Sequence, residues 1–362
     1  MNKSFNKTIS ARELIAIIMF AIGIKFKDTT PHILYTAGKT AAWMIPILSM
    51  IIFFLPFFVL ATLMKKHQLG FIELIFKLLG KFIGVIICTG LFILFFSGMV
   101  INFRGHVDIV STLFYQRTPL FVLSLVLIAV CCYISYQGFA VISRTAWLIF
   151  PVFQLLMIFL IVISWKDLNF GYLFPIGGPG FTTIAKESFL NLSIVAEIML
   201  IAVFYMQLRK DKDFFVGSFA GIGIACIQMA IFLIVMQLTF NYPNVAEMSF
   251  PYQQLTRYVM IGDFVSHIEG IFLGFWTMVT TLHFSLYLLV SALLLSRVLQ
   301  VKQFQFLLLP LAALLLIISL IPENVFTVIE YRKYAIVIFA WISVCLPFVL
   351  WAVDRWKGRL QK

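Results

Sequence analysis

Ala21-Ile22-Gly23-Ile24-Lys25-Phe26-Lys27-Asp28-Thr29-Thr30-Pro31 places a glycine and three charges inside a run that is otherwise apolar from Ala11 onward. At about 1.5 Å per helical residue, Gly23 lies roughly 18 Å into that run, near the middle of a hydrocarbon layer about 30 Å thick. Glycine weakens a helix there, and ionisable side chains at such depth persist where they face a cavity, a partner or a substrate path. A second stretch behaves alike: Glu187-Ser188-Phe189-Leu190-Asn191-Leu192-Ser193-Ile194-Val195-Ala196-Glu197. Entered near Ile184, it carries Glu197 roughly 20 Å along a helix, the deepest carboxylate in the sequence.

The surroundings of both stretches are those of a membrane protein. Hydrophobic residues make up 62% of the 362 residues and charged residues 12%, about half the share of soluble domains. With a mean hydropathy of +1.04, little remains from which to build a water-soluble domain. The net charge of +12 does not predict nucleic-acid binding, because Lys and Arg sit mostly in short joins between apolar runs. Cys88, Cys131, Cys132, Cys226 and Cys345 lie within apolar runs and have neither a disulfide pattern nor metal-ligand spacing.

With about 20 residues per crossing, spans are predicted at 11–35, 41–64, 81–103, 119–138, 143–164, 184–208, 214–239, 265–295, 303–321 and 334–353. The chain is thus an all-α integral membrane protein, one transmembrane domain over 1–362, with ten transmembrane helices. Residues 70–80, with Glu73 and Lys77 four apart among apolar residues, are expected to lie along the cytoplasmic interface. The 240–264 segment, with Pro243 and Pro251, is expected to fold against the outer mouth. With the N-terminus inside, 17 of the 27 Lys and Arg fall on the cytoplasmic side, Lys3, Lys7 and Arg12 among them, so both termini are predicted cytoplasmic.

The interrupted spans are the first and the sixth, each the first of five. An odd repeat inverts the second half, 184–353, relative to the first, 11–164, and paired interruptions at matching positions point to a transporter-type binding site. Ile22, Gly23, Ile24, Asn191, Ser193, Ala196 and Glu197 are therefore the candidate substrate-binding residues. Lys25, Asp28, Arg257 and Glu269 are the candidates for gating or coupling. Plainer readings stand beside these. Gly23 serves equally as a helix-packing contact, Asn191 and Ser193 as interhelical hydrogen-bonding groups, and Glu197 as a structural anchor. Lys25 and Asp28, three apart, suit a mutual ion pair, and His267 with Glu269 suits a solvated pair at the mouth of span eight. There is no nucleophile–base spacing, H-E-x-x-H pattern or Walker-type loop, so no enzyme, cofactor or metal is predicted.

Short matches along the chain resemble the B subunit of spore germinant receptors, in the spore permease family of the amino acid/polyamine/organocation transporter superfamily. They are Ile9-Ser10-Ala11-Arg12-Glu13-Leu14, Asp28-Thr29-Thr30-Pro31, Ala42-Trp43-Met44-Ile45-Pro46, Phe250-Pro251 through Arg257, Ile261-Gly262-Asp263-Phe264, and Glu269-Gly270-Ile271-Phe272 to Trp276. The resemblance implies a LeuT-like five-plus-five inverted repeat with broken helices one and six. It also implies residence in the inner membrane of an endospore, beside an A subunit and a C lipoprotein subunit. Ile22-Gly23-Ile24 matches the break in span one, and Ala196-Glu197 the step in span six. Ala196 stands where the family usually has Gly, and Lys25 where the residue is often small.

The function so predicted is sensing of a small nutrient such as an amino acid. Its carboxylate would meet backbone N–H groups near Gly23 and Ile24, and its ammonium the carbonyls freed in span six, with Glu197 nearby. A proton-coupled amino acid permease and a gated ion or water conduit are the alternatives. The lipid bilayer is the surrounding partner, with no nucleic acid. The topology is checked by labelling Lys210→Cys in a variant lacking the five native cysteines: an impermeant reagent outside intact cells should leave position 210 unmodified, and modification would overturn the orientation.

Overall fold

The computed structural model describes residues 9–258, 269–322 and 325–360. Lys3, Lys7, His267 and Ile261-Gly262-Asp263-Phe264 lie outside the described residues. Among those described, regular structure is helical apart from one isolated bridge between Ile9 and Leu208.

The first helix, α1 (Ala11–Ile18), starts where the Ser10-Ala11-Arg12-Glu13 pattern calls for a start. The Glu13 carboxylate accepts from the Ser10 backbone N–H at 2.6 Å and from its hydroxyl at 2.8 Å. The chain then widens into a π turn over Met19–Gly23 and tightens into a 3-10 turn over Lys25–Lys27. Asp28 is extended (φ −97°, ψ −155°), and α2 (Thr30–Gly38) resumes the path. Pro31 suits its first turn, where a missing N–H costs nothing, and Asp28 Oδ1 accepts from Thr30 N at 2.6 Å. The interruption is therefore wider than one glycine. The second interrupted stretch comprises α7 (Phe181–Leu190), α8 (Ser193–Ala196) and α9 (Ile198–Ala202), followed by a 3-10 turn at Tyr205–Gln207.

These two broken stretches run antiparallel. At one end Ile9 N donates to Gln207 O (3.2 Å) and Arg209 N to Ile9 O (2.9 Å). At the other, Thr40 donates to Pro175 O at 2.6 Å. Among the described residues, seven helices around them are long and apolar enough to cross a membrane: α3 (Met44–His67), α4 (Phe71–Leu113), α5 (Leu120–Gln137), α6 (Phe139–Ser164), α10 (Asp211–Phe240), α13 (Glu269–Val298) and α15 (Val325–Leu360). Between the last two, α14 (Gln305–Ser319) is apolar and shorter. The most enclosed of the seven is α13, while α6 turns Leu148, Leu155 and Val162 outward, an apolar face fit for lipid.

Small residues decide the closest contacts. A side chain at Gly217 of α10 would meet Ala11 O at 3.1 Å and the Leu14 side chain at 2.8 Å, and one at Gly221 would meet Ile18 at 3.0 Å. At Gly23 it would come within 3.4 Å of the Ala225 backbone. Glycines here let α1 and its π turn lie directly on α10.

Several expected boundaries shift for physical reasons. The expected span 81–103 continues to Leu113, because Arg104 and Asp108 pair within the helix at 2.8 Å and Arg104 also reaches Ser319 O at 2.9 Å. Paired and bonded, these charges do not end a buried helix. Gly80, at φ +79°, bends α4 and sets its first turns apart, close to the expected interfacial segment at 70–80. The expected span 334–353 is longer at both ends, and Arg332, counted outside it, belongs to α15. In the 240–264 segment, α11 (Asn244–Glu247) and α12 (Pro251–Tyr258) fold inward: Gln253 donates to Lys27 O at 2.6 Å, and Tyr252 packs edge-on to Phe26.

Candidate functional site

The two interruptions meet through Lys25. Its ammonium donates to the carbonyls of Ser193 and Ile194, both at 3.1 Å, and pairs with Glu197 Oε1 at 2.8 Å. The second oxygen of Glu197 lies 2.9 Å from Nε2 of His283 on α13. Both Lys25 and Glu197 are buried. The carbonyls are available because α8 stops at Ala196 after a single turn, which leaves the C=O groups of its residues without following helical N–H partners. A lysine four methylenes long reaches them from the opposite break.

Asp28 pairs elsewhere. Arg332 of α15 donates to Asp28 Oδ2 at 2.8 Å, Thr29 Oγ1 at 2.6 Å and Thr30 Oγ1 at 2.7 Å. The mutual Lys25–Asp28 pair anticipated from their spacing does not form, because the backbone leaves helical geometry between them. Lys27 turns to α13, donating to Thr280 Oγ1 at 2.8 Å and Trp276 O at 3.3 Å.

Two cavities flank this clasp. The larger, about 60 Å³, is lined by Lys25, Thr30, Asn191, Ser193, Ile194, Glu197, Tyr287 and Arg332, with apolar walls from α4 and α15. The smaller, about 30 Å³, is lined by Ile24, Lys25, Lys27, Asp28, Asn102, His106, Trp276, Thr280, His283 and Phe284. Five of the sequence-derived candidates therefore line the larger or smaller cavity together with Lys25: Ile24, Asp28, Asn191, Ser193 and Glu197. Asn191 also bonds locally, donating to Glu187 O at 2.9 Å.

The remaining candidates sit apart. Ile22, Gly23 and Ala196 are buried but line neither cavity, Gly23 being pressed against Ala225. Arg257 donates to Leu113 O at 2.6 Å and lies over the Phe114 ring, at the far end of α4. Glu269 opens α13 and lines neither cavity. The seat anticipated for a ligand's ammonium, the freed carbonyls beside Glu197, is taken by Lys25, which corrects that part of the expected site. His283, Tyr287, Arg332, Asn102 and His106 were not singled out from the sequence. The available signal was polar residues within or beside apolar spans, without any indication of which faced the breaks.

Comparisons with known proteins agree with this architecture. The spore permease family model, described as spore germination protein, matches residues 8–327. Spore germination protein A2 of Bacillus subtilis (strain 168) is 26% identical over 360 residues, covering 98% of this chain and 96% of that protein. Spore germination protein YndE of the same organism is 23% identical over 364 residues, 99% of each. Among solved structures, Mhp1, a nucleobase-cation-symport-1 family transporter in a closed conformation with bromovinylhydantoin bound, superposes with a TM-score of 0.70 at 14% identity, covering 95% of this chain and 80% of that one. The fold is that of a membrane transporter.

Arg332 holds the second half of the first break, Asp28 to Thr30, to α15 through three charged or hydroxyl acceptors. Arg332→Met should raise hydrogen exchange across Thr29–Ile33 by at least about tenfold, since hydrogen bonds to charged groups contribute about 1.5–3 kcal/mol each and three are lost together from a half-buried site. Unchanged protection there would show that the break is held by packing alone.

Proposed function

Because the chain belongs to the family of spore germination proteins, we propose that it is the nutrient-sensing B subunit of a germinant receptor on a transporter fold. In this reading ten spans form two inverted repeats, 11–164 and 184–353, in the inner membrane of the endospore. Both termini are cytoplasmic, and an A subunit and a C lipoprotein subunit are the partners.

The observation that carries the proposal is the buried Lys25–Glu197–His283 cluster, which ties both broken helices beside a 60 Å³ cavity. At about 10–15 Å³ per water-sized occupant, that space suits a few heavy-atom groups, the scale of a small amino acid. Since Lys25 fills the ammonium seat, a ligand's carboxylate faces Lys25 and Arg332 instead. Binding draws the Lys25 ammonium from the Ser193 and Ile194 carbonyls and shifts the population between two packings of the broken helices. That shift is the signal passed to the partner subunits.

A proton-coupled permease is the second reading, favoured by three titratable groups in contact within a buried cluster. A proton taken up by the cluster would release Lys25 from Glu197 in each cycle.

Replacing the pair as a unit tests the proposal, because exchanging a buried ion pair for neutral groups of similar size is often close to neutral for stability. Lys25→Met with Glu197→Gln should leave abundance near normal and raise the nutrient concentration for half-maximal germination at least about tenfold, equivalent to about 1.4 kcal/mol. An unchanged dose-response would overturn the site. Uptake driven by a pH gradient, present in the parent and lost in the double variant, would favour the permease.

A further inference from the structure

The buried charges of this region do not cancel. Lys25 is matched by Glu197 and Arg332 by Asp28. Lys27 is 3% exposed and, among the described residues, makes no ion pair with a carboxylate. Its partners are neutral: the Thr280 hydroxyl, the Trp276 carbonyl and the Trp276 ring, whose centroid is 5.4 Å from Nζ. An ammonium has three N–H donors, so one remains unassigned. Leaving a charge unmatched within a low-dielectric bundle costs several kcal/mol, which a counter-ion removes.

A second observation falls at the same place. His106, 4% exposed and in the wall of the smaller cavity, leaves Nδ1 without a hydrogen-bond partner. Its ring is fixed edge-on to Trp276 at 4.6 Å, so the imidazole has little freedom to seek one elsewhere. Asn102 adds an amide to that wall. An uncompensated cation, an unpartnered imidazole nitrogen and an amide therefore line one cavity of about 30 Å³. At about 10–15 Å³ per water-sized occupant, it admits two or three such groups, too few for an amino acid and enough for a halide or one carboxylate group.

We propose that the cavity beneath Trp276 is a small-anion site, in which Lys27, His106 and Asn102 hold either a free halide or the carboxylate group of an organic ligand. An ammonium supplies the charge, and N–H groups of the imidazole and amide complete the shell. Asp28 does not repel the occupant strongly because Arg332 neutralises it at 2.8 Å. The occupant neutralises Lys27 within the first break, and the site does not depend on which nutrient, if any, the chain senses.

The test uses the purified full-length chain in lipid nanodiscs, in gluconate buffer of constant ionic strength. Radiolabelled chloride binding is measured directly, with formate and acetate as competitors. One saturable site is expected, with half-saturation raised at least about tenfold by Lys27→Met and by His106→Phe, the loss typical of removing one partner of a buried charged contact. The second variant keeps the aromatic packing, so the proposal stays testable where Lys27→Met does not fold. Saturable chloride binding identifies a halide site. Binding of labelled formate or acetate without chloride identifies a carboxylate site. Absence of saturable binding by all three probes overturns the proposal, as does wild-type binding in both variants.

Discussion

Lys25 and Glu197, 2.8 Å apart and both buried, form the contact on which the centre of this molecule depends. Two helices broken inside a membrane expose carbonyl and N–H groups that lipid cannot satisfy. A lysine from one break bonds the freed carbonyls of the other, and the glutamate that ends α8 neutralises it. His283 then satisfies the remaining carboxylate oxygen from α13. Each group solves a problem that another creates, which is why irregular backbone persists at this depth.

The antiparallel course of the two broken stretches follows from the same pairing. Ile9 beside Gln207 and Arg209 fixes one end, Thr40 beside Pro175 fixes the other, and the lysine–glutamate contact lies between. Glycines on α10 allow α1 to approach closely enough for this register, while α4, α13 and α15 enclose the cavities on the remaining sides. A ligand that competes for Lys25 therefore acts on both broken helices at once, which is the coupling a receptor needs. A transporter needs the same coupling, and the fold is that of one, which by itself assigns no activity.

Much of this was legible in the sequence. Hydropathy located the long helices, and the charges beside Gly23 and the depth of Glu197 marked both breaks. The partners were less legible. Spacing favoured Lys25 with Asp28, since residues three apart share a helix face, but Asp28 is extended and that face does not exist. Lys25 instead pairs with Glu197, nearly half the chain away, a contact set by tertiary packing. Arg332 was placed in a loop because apolar runs were bounded at charges. Its bonds to Asp28, Thr29 and Thr30 are what let it sit in the first turns of a long apolar helix. Gly23 marked the right region, and in the structure it lies against Ala225 of α10.

The most direct measurement of the lysine–glutamate tie is a double-mutant cycle on the purified chain, with unfolding free energies for Lys25→Met, Glu197→Gln and both together. Each single change strands a buried charge, a loss of about 3–5 kcal/mol, whereas the double change strands no charge and, like Lys25→Met alone, leaves the Ser193 and Ile194 carbonyls without the lysine donor. The account predicts a coupling of at least about 2 kcal/mol, the double variant being more stable than the singles imply. Additivity to within about 0.5 kcal/mol would contradict it, showing that the two broken helices are held together by something other than this pair.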